Sequence, residues 1–344
     1  MLFKKLALQA SAPASPDAAS ASRAAKPEGG MLAVAGAALL LMAAATALLA
    51  ARGNPYDGAP TARVRVHFAK WDKHGQSNLP GLSASGGLVP APIAGLTAPG
   101  PGGLLPIIAA DGRASWKAYA RPFIDDGRPK IALVIGGLGL NPDAARQAID
   151  ALPPEVTLSF SPYAENLQAL VDRARAAGHE VMVEIPMESV DYPDSDTGPY
   201  TLLSASAPQD IQNKLDWLMS RATGYFAVTN MAGGRFLSQD KAMAPFVQAL
   251  RQRGVAFVDD GQAGGRGAGL HRATLGAQID GDLDDQAIDG QLLSLEARAL
   301  QTGSALGTGS AYPLTLAQVQ RWAAAVRERG YALAPASALM TLKP

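Results

Sequence analysis

The stretch Lys130–Pro142 reads KIALVIGGLGLNP, and it decides the fold of the chain. Five consecutive apolar residues, Ile131–Ile135, are typical of a strand that is buried on both faces. Two glycines, Gly136 and Gly137, follow, and an Asn-Pro pair then marks a helix N-terminus. This order predicts an α/β unit, in which side chains at the carboxyl end of the strand form the site. Glycines at this strand end carry no side chain to contribute.

Apolar runs alternate with helical patterns from about residue 128 onward. The predicted strands are Ile131–Ile135, Val156–Phe160, Glu180–Ile185, Tyr225–Thr229 and Val255–Asp259, with weaker ones near Leu275, Ala305 and Tyr331–Ala334. The predicted helices are Pro142–Ala151, Ala164–Ala177, Gln209–Arg221, Lys241–Arg253, Asp284–Gln301 and Leu316–Arg329. Repeated strand–helix units predict a parallel sheet, either closed as a barrel or open and doubly wound.

The N-terminal third has a different organisation. Residues 1–30 have the composition of a short disordered cytoplasmic tail, and residues 31–51 contain no charge. At ~1.5 Å per residue the uncharged run spans roughly 30 Å, which predicts a transmembrane helix or signal anchor, with a cleaved signal peptide as the alternative. Residues 52–110 are predicted to be a flexible Pro/Gly-rich linker, and residues 111–344 a folded domain. Positive residues before the run place the domain on the periplasmic side of the inner membrane.

Composition excludes several classes of function. The formal net charge is zero, and no basic stripe is interleaved with aromatic residues, so nucleic acid is not an expected partner. The chain has no cysteine, which excludes disulfides, thiolate metal sites and a cysteine nucleophile. The four histidines are scattered and form no pair at metal-ligand spacing: His67, His74, His179 and His271.

Three common motifs fail on inspection. A dinucleotide fingerprint would continue Gly137 and Gly139 with a third glycine, but Pro142 stands there. A calcium loop over Asp280–Asp285 would need glycine at its sixth position, so a solvated, helix-capping loop is favoured. The segment GTGSA at 307–311 lacks the second glycine of a nucleophile elbow.

What remains is a set of polar residues at predicted strand ends. They are Glu184, Glu188, Asn230, Arg235, Asp259 and Asp260. Because the carboxyl ends of barrel strands converge on one face, these side chains are expected to line one groove. Paired carboxylates can perform acid–base chemistry if their environments separate their pKa values. The structural alternative is that Asp259 or Asp260 caps a turn and that Glu188 pairs with Arg235.

Several segments in order resemble one known family, the divergent polysaccharide deacetylases, which are relatives of NodB-type carbohydrate esterases. The resemblance covers roughly Leu105–Leu342, and its segments are DGRASWKAYARPF, IALVIGGLGLN, VEIPMES, TNMAGGRF, AFVDD and the ending from AYPLTLAQVQ to PASAL. It implies a distorted (β/α) barrel that acts on N-acetylated envelope glycans. It also implies metal-dependent removal of an acetyl group, with a carboxylate and histidines holding a divalent metal that activates water.

The chain departs from this family pattern at the positions that would hold the metal. Gly136 and Gly137 stand where the acidic pair is expected, and Glu184, Met231 and Ser310 stand where histidines are expected. An imidazole-free set of this kind does not suit zinc or nickel, so no metal and no other cofactor is predicted.

The leading hypothesis is therefore a membrane-anchored domain of deacetylase fold that binds envelope glycan or an envelope protein partner without metal-dependent catalysis. Glu184, Asn230, Arg235 and Tyr312 are its expected binding residues. One alternative is an active carbohydrate deacetylase with an all-carboxylate site formed by Glu184, Glu188 and Asp259 or Asp260. Its catalytic candidates are Glu188, Asp259 and Asp260. A further alternative is an envelope scaffold protein that binds no glycan.

Overall fold

The computed structural model describes residues 86–342. The predicted cytoplasmic tail, the predicted transmembrane helix at 31–51 and residues 52–85 of the predicted linker lie outside these described residues. Among the helices between residues 86 and 342, none is long and apolar enough to cross a membrane.

Strands and helices alternate along the described chain as the sequence predicted. The strands are β1 Thr97–Gly100, β2 Gly103–Pro106, β3 Lys130–Leu138, β4 Thr157–Phe160, β5 Val181–Met187, β6 Ala227–Ala232, β7 Ala256–Asp259, β8 His271–Thr274, β9 Ala277–Gln278, β10 Ser304–Ser310, β11 Ala332–Leu333 and β12 Thr341–Leu342. The helices are α1 Ser115–Ala118, α2 Pro142–Ala151, α3 Leu167–Ala177, α4 Pro208–Met219, α5 Gly234–Leu237, α6 Asp240–Arg253, α7 Asp285–Thr302 and α8 Pro313–Val326.

Ten of these strands form one sheet, in the hydrogen-bonded order β12-β8-β7-β6-β5-β4-β3-β10-β9, with β11 beside the start of β3. Strands β3 to β8 are parallel neighbours in chain order, and β10 joins the other side of β3 in parallel. Only β12 runs antiparallel to its neighbour β8. The sheet is curled into a half-barrel, which agrees with the distorted barrel that the resemblance implies.

The two faces of the curled sheet are packed differently. Along β3, Ile131, Leu133 and Ile135 belong to the large cluster that includes the helices. Ala132 and Val134 point the other way, into a smaller cluster with inward-facing residues of the neighbouring strands. Because side chains alternate across a strand, the even-numbered positions of β3 and β5 face the concave interior.

The end of β3 and the turn after it need glycine for both backbone conformation and space. Gly137 has φ +70°, a conformation that side chains rarely adopt. At Gly139, which has φ +104°, an added Cβ would lie 2.7 Å from Cβ of Ala164. The Asn141 side chain then caps α2, because its oxygen accepts hydrogen bonds from two N–H groups of the first turn. The predicted strand and helix start are confirmed, but the strand continues through Gly136 and Gly137 to Leu138, so the turn begins later than predicted.

The described part of the predicted linker, residues 86–110, is not a free tether, and the domain begins before residue 111. Strands β1 and β2 pair as a hairpin, and Leu96 is fully buried. The buried guanidinium of Arg175 donates to the carbonyl of Val89 at 2.7 Å. The N–H of Ile93 donates to the Tyr119 hydroxyl at 3.0 Å. These partners are distant in sequence, so the local Gly/Pro composition did not indicate them.

Candidate functional site

Polar side chains line the concave interior at the carboxyl ends of the strands. Ser159 on β4, Glu184 on β5 and Thr229 on β6 occupy inward-facing positions, since their neighbours in the strands belong to the outer cluster. Glu184 is directly opposite Thr229, and Ser310 on β10 is directly opposite Gly136. The interior wall therefore combines hydroxyl groups with one carboxyl.

Glu184 is the buried acid of this wall and is only 6% exposed. Its Oε1 accepts a hydrogen bond from the N–H of Gly137 at 2.7 Å. Burial raises the pKa of Glu184 to about 7, against the opposing effects of the Gly137 N–H and the Ser159 hydroxyl. The Ser159 hydroxyl lies near enough to favour the charged form, but it makes no hydrogen bond of acceptable geometry. Glu184 is thus balanced between its neutral and charged forms near neutral pH.

The absence of a side chain at Gly136 makes room for this carboxyl. A Cβ at Gly136 would lie 3.1 Å from Oε1 of Glu184 and 3.9 Å from Cβ of Ser159. Strand β3 therefore contributes backbone to the site, and the acid comes from β5 instead. The sequence indicated an empty strand end at Gly136-Gly137 but did not indicate what fills it.

Both carboxylate oxygens of Glu188, a predicted catalytic candidate, contact neighbouring groups of the protein. Its Oε2 accepts from the backbone N–H of Ser204 at 2.6 Å and from the Ser204 hydroxyl at 2.5 Å. Its Oε1 lies 3.4 Å from Arg235, whose other nitrogen donates to the carbonyl of Val190 at 2.5 Å. Glu188 and Arg235 together fix the loop after β5, which is the structural alternative that the sequence left open.

Both carboxylate oxygens of Asp259 are likewise bonded within the protein. It is completely buried, and its carboxylate forms a two-point ion pair with Arg272 on β8, including an Oδ1 to Nη2 distance of 2.6 Å. Oδ1 also accepts from the N–H of Gly261 at 2.8 Å. The guanidinium continues to the carbonyl of Gly264. This arrangement faces away from the concave interior and leaves Asp259 without a free oxygen for substrate.

Asn230 and Asp260 do come together, at the exposed ends of β6 and β7. The Asn230 amide donates to the Asp260 carboxylate at 3.0 Å, and the Gln262 amide donates to the same oxygen at 2.7 Å. Asn230 also donates to the carbonyl of Ala232 at 2.6 Å. Ala232 has φ +56°, an uncommon conformation for a residue with a side chain, and such conformations are concentrated at functional sites. We call Asn230, Asp260 and Gln262 the polar platform.

Tyr312 lies at the start of α8, is 47% exposed and donates its backbone N–H to the carbonyl of Ser310 at 2.8 Å. Beside it is an acid that the sequence interpretation missed. Asp280, predicted to belong to a solvated loop, is buried and accepts from the N–H of Ser310 at 2.6 Å and from the Thr315 hydroxyl at 3.0 Å. Asp284 does cap α7 as predicted. No local sequence signal distinguishes the buried acid from the capping one.

A cavity of about 730 Å³ flanks the ends of β3 and β4. It is lined mainly by apolar groups of the two following loops, with Arg146, Tyr163, Glu165, Asn166 and Arg173 as its polar members. Neither Glu184 nor the polar platform is part of this cavity. We therefore define the candidate site by the interior wall and the polar platform, with the cavity as a neighbouring recess.

A sequence model of the divergent polysaccharide deacetylase family matches residues 133–340. The chain belongs to this family. Among curated relatives it is 21% identical over 199 residues to YibQ of Escherichia coli K12, which covers 56% of this chain and 61% of that protein. It is 25% identical over 201 residues to a protein of Haemophilus influenzae Rd, which covers 56% of this chain and 70% of that protein. The match thus spans about three fifths of the length of YibQ.

A solved structure with a high similarity is protein ATU2773 from Agrobacterium tumefaciens C58. It shares 34% sequence identity and superposes with a TM-score of 0.67, covering 69% of this chain and 99% of that chain. The fold of the described domain is therefore one that a crystal structure also contains.

The divalent metal implied by this family does not fit the residues present here. At the positions where its ligands are expected, the chain has Gly136, Gly137, Glu184, Met231 and Ser310. Within residues 86–342, no three His, Asp or Glu side chains are grouped so that they could hold a metal ion. One buried carboxyl with hydroxyls falls short of the three or four nitrogen, sulfur or carboxylate ligands of zinc sites. We derive no chemical step through a metal.

Proposed function

We propose that this divergent polysaccharide deacetylase-like domain binds an N-acetylated cell-envelope glycan without metal-dependent hydrolysis. The glycan occupies the concave interior at the strand ends and contacts the polar platform. Residues 31–51 tether the domain to the inner membrane, with residues 111–344 in the periplasm. The family supports the polysaccharide class of ligand, and the uncharged run supports the tether.

One observation carries the proposal: the acids that could act as a catalytic pair are already bonded within the protein. Asp259 is paired with Arg272, and Glu188 is bonded to Ser204. Of the other two acids, Asp260 accepts hydrogen bonds from the amides of Asn230 and Gln262, and Glu184 lies among hydroxyl groups. Hydroxyls, amides and single carboxyls are the groups that form directional hydrogen bonds with sugar hydroxyl and acetamido groups.

The competing hypothesis is an active carbohydrate deacetylase that uses Glu184, Glu188 and Asp259 or Asp260 as an all-carboxylate site. A general base must reach the proton that it abstracts, and Asp259 has no exposed surface. Asp260 is exposed, but its nearest described partners are amides rather than a second acid. An envelope scaffold that binds no glycan is the other competitor, and the same experiment tests it.

The test uses the full-length chain incubated with zinc, nickel or cobalt. Metal content is measured after removal of excess ion, acetate release is measured with N-acetylated chitin oligosaccharides, and binding of chitotetraose is measured by calorimetry. We expect metal below one equivalent, no acetate above the blank, and measurable binding. Stoichiometric metal together with acetate release would contradict the proposal, and so would the absence of chitotetraose binding.

A matched pair of variants locates the bound glycan. Asn230→Ala removes an amide from the polar platform and is expected to weaken binding about tenfold, the effect of losing roughly one to two hydrogen bonds. Asn213→Ala removes an exposed amide on α4, bonded only to Gln209 among described partners, and should leave the affinity unchanged. Equal affinities of the two variants for chitotetraose would show that the polar platform does not contact the glycan.

A further inference from the structure

The two oxygens of the buried Glu184 carboxyl are not equivalent. Oε1 accepts the Gly137 N–H at 2.7 Å, and no described partner bonds Oε2. The carbonyl oxygen of a carboxylic acid is a stronger acceptor than its hydroxyl oxygen, so an N–H bonded to one oxygen favours the acid proton on the other. In the neutral form the proton is therefore on Oε2, which is left as an unused donor in the wall of the candidate site.

The neutral form is accessible because nothing nearby favours the charge strongly. Burial is the largest cause of the raised pKa, and the groups that oppose it are one backbone N–H and one hydroxyl. The neighbouring strands present Ser159 on β4, Thr229 on β6 and Ser310 on β10, none of which titrates near neutral pH. No cation among the described residues contributes to the environment of this carboxyl.

The acids on adjacent strand ends are occupied by partners of their own. Glu188 is bonded to Ser204 and lies near Arg235. Asp260 accepts from Asn230 and Gln262. Asp280 accepts from the Ser310 N–H. Glu184 thus titrates as a single site, governed by burial more than by coupling to another acid.

A second unused group lies beside it. The Ser159 hydroxyl is 1% exposed and has no hydrogen-bond partner, an arrangement that is costly for a buried polar atom unless a ligand or water satisfies it. The neutral Glu184 offers a donor, and the Ser159 oxygen can accept. A ligand group that accepts at one atom and donates at the next satisfies both, and a secondary amide is such a group.

We infer that Glu184 binds the glycan as a neutral carboxylic acid, donating its Oε2 proton to the carbonyl oxygen of an acetamido group. Ser159 accepts the N–H of the same acetamido group. This inference rests on the proposed glycan-binding function and specifies which chemical group of the glycan the site reads. It makes Glu184 a specificity-determining residue that distinguishes N-acetylated sugars from plain ones.

Charge explains why the neutral form is selected. A carboxylate facing a carbonyl oxygen would place two acceptors against each other, with no proton between them. An uncharged glycan that displaces water from the wall would also leave the carboxylate less solvated than before. Both effects favour the acid form in the complex, so the affinity must fall as pH rises through the pKa.

The test is calorimetric binding of chitotetraose to the full-length chain at pH 6 and pH 8. With a pKa of about 7 and binding only to the neutral form, wild-type affinity should be about tenfold weaker at pH 8. Glu184→Gln is an isosteric mimic of the neutral acid, since its oxygen can accept from Gly137 while its amide donates. It should bind equally at both pH values, with the affinity that the wild type has at pH 6.

Two controls accompany this variant. Glu165→Gln removes an exposed carboxylate that lines the neighbouring cavity, and it should keep the wild-type pH dependence. Ser159→Ala should weaken binding of chitotetraose severalfold but leave cellotetraose, which has hydroxyls in place of acetamido groups, unaffected. Thermal melting of each variant establishes that the fold is intact, and Ser159→Ala supplies an independent readout if Glu184→Gln does not fold.

The outcomes separate this inference from the proposed function. If the wild type binds chitotetraose equally at pH 6 and pH 8, or if folded Glu184→Gln binds more weakly at pH 8 than at pH 6, the inference is wrong and the proposed function stands. Equal affinity of the wild type for chitotetraose and cellotetraose would also overturn it. If the wild type binds neither sugar, both the proposed function and the inference fail.

Discussion

Glu180 and Glu184 face the same concave interior, four residues apart: Glu180 immediately precedes β5, and Glu184 lies within it. Both are buried, and burial raises the pKa of each. Their partners differ. Glu180 accepts hydrogen bonds from the Thr157 hydroxyl at 2.7 Å and from the N–H and hydroxyl of Ser337 at 3.0 and 2.5 Å, and it also accepts from the N–H of Arg121 at 3.1 Å. Glu184 accepts only from Gly137 among the described residues.

The difference separates a fully bonded acid from one that keeps unused hydrogen-bonding capacity, within the same curled sheet. At the amino-terminal end of the strands, Glu180 joins β4, β5 and the turn at Ala336–Leu339 into a closed network. At the carboxyl-terminal end, Glu184 and Ser159 keep unused hydrogen-bonding capacity. In barrel folds, residues at the first end serve stability and residues at the second end form sites, and the unequal bonding of these two acids parallels that division.

The largest loss of stability is expected from substitution of Asp259, which lies at the carboxyl-terminal end of β7 but is bonded as fully as Glu180. Asp259→Ala leaves the buried guanidinium of Arg272 unpaired and should lower the free energy of unfolding by about 3–5 kcal/mol. Urea denaturation at pH 7 measures this change. The matched control Asp260→Ala, at an exposed position one residue later, should change it by less than about 1 kcal/mol. A loss for Asp259→Ala as small as that expected for Asp260→Ala would show that Asp259 is not a structural acid.

The second-largest loss of stability is expected from removal of the Glu180 carboxylate. Glu180→Ala leaves buried donors of Thr157, Ser337 and Arg121 without an acceptor, so we expect a loss of about 3–4 kcal/mol in the free energy of unfolding. The measurement is again urea denaturation, with wild type and variant compared at pH 6. A loss below about 1 kcal/mol would show that the hydrogen bonds of Glu180 do not make it a structural acid.

Removing the titratable group of Glu184 should raise the stability of the fold, in contrast to the losses expected at Asp259 and Glu180. A raised pKa means that the folded state holds the proton more tightly, so wild-type stability falls as pH rises from about 4.5 to about 7 and is then constant. Glu184→Gln removes this penalty and should be more stable than the wild type by about 2–3 kcal/mol at pH 8. The gain should vanish near pH 4.5. A variant that is less stable at pH 8 would place Glu184 in the structural class with Glu180.

Much of the fold is predictable from sequence because its signals are local. Helix α2 begins and ends where the sequence predicted, since Asn141 caps it and Pro142 opens it. Helices α3 and α6 end at the predicted Ala177 and Arg253, because the glycines that follow, Gly178 and Gly254, adopt the left-handed conformation with φ of +98° and +61°. Such features depend on a few adjacent residues, and the printed sequence contains all of them.

The features that sequence did not predict depend on distant partners. The segment 86–110 packs onto the domain through Arg175 and Tyr119, which are tens of residues away. The pairing of Asp259 with Arg272 depends on the register of β8, a strand that the sequence indicated only weakly. At the candidate site, sequence located Glu184 on its strand, but its near-neutral pKa follows from burial in the curled sheet.

A measurement of the pKa of Glu184 decides whether this carboxyl is neutral when it meets the ligand. In the full-length chain labelled with carbon-13 at glutamate side chains, the carboxyl resonance that is absent from Glu184→Gln identifies this residue. Its chemical shift should titrate with a midpoint near 7, as burial predicts. Addition of chitotetraose should raise the midpoint further. A midpoint near the ordinary value of about 4.5, unmoved by the sugar, would contradict the claim that a neutral carboxyl reads the ligand.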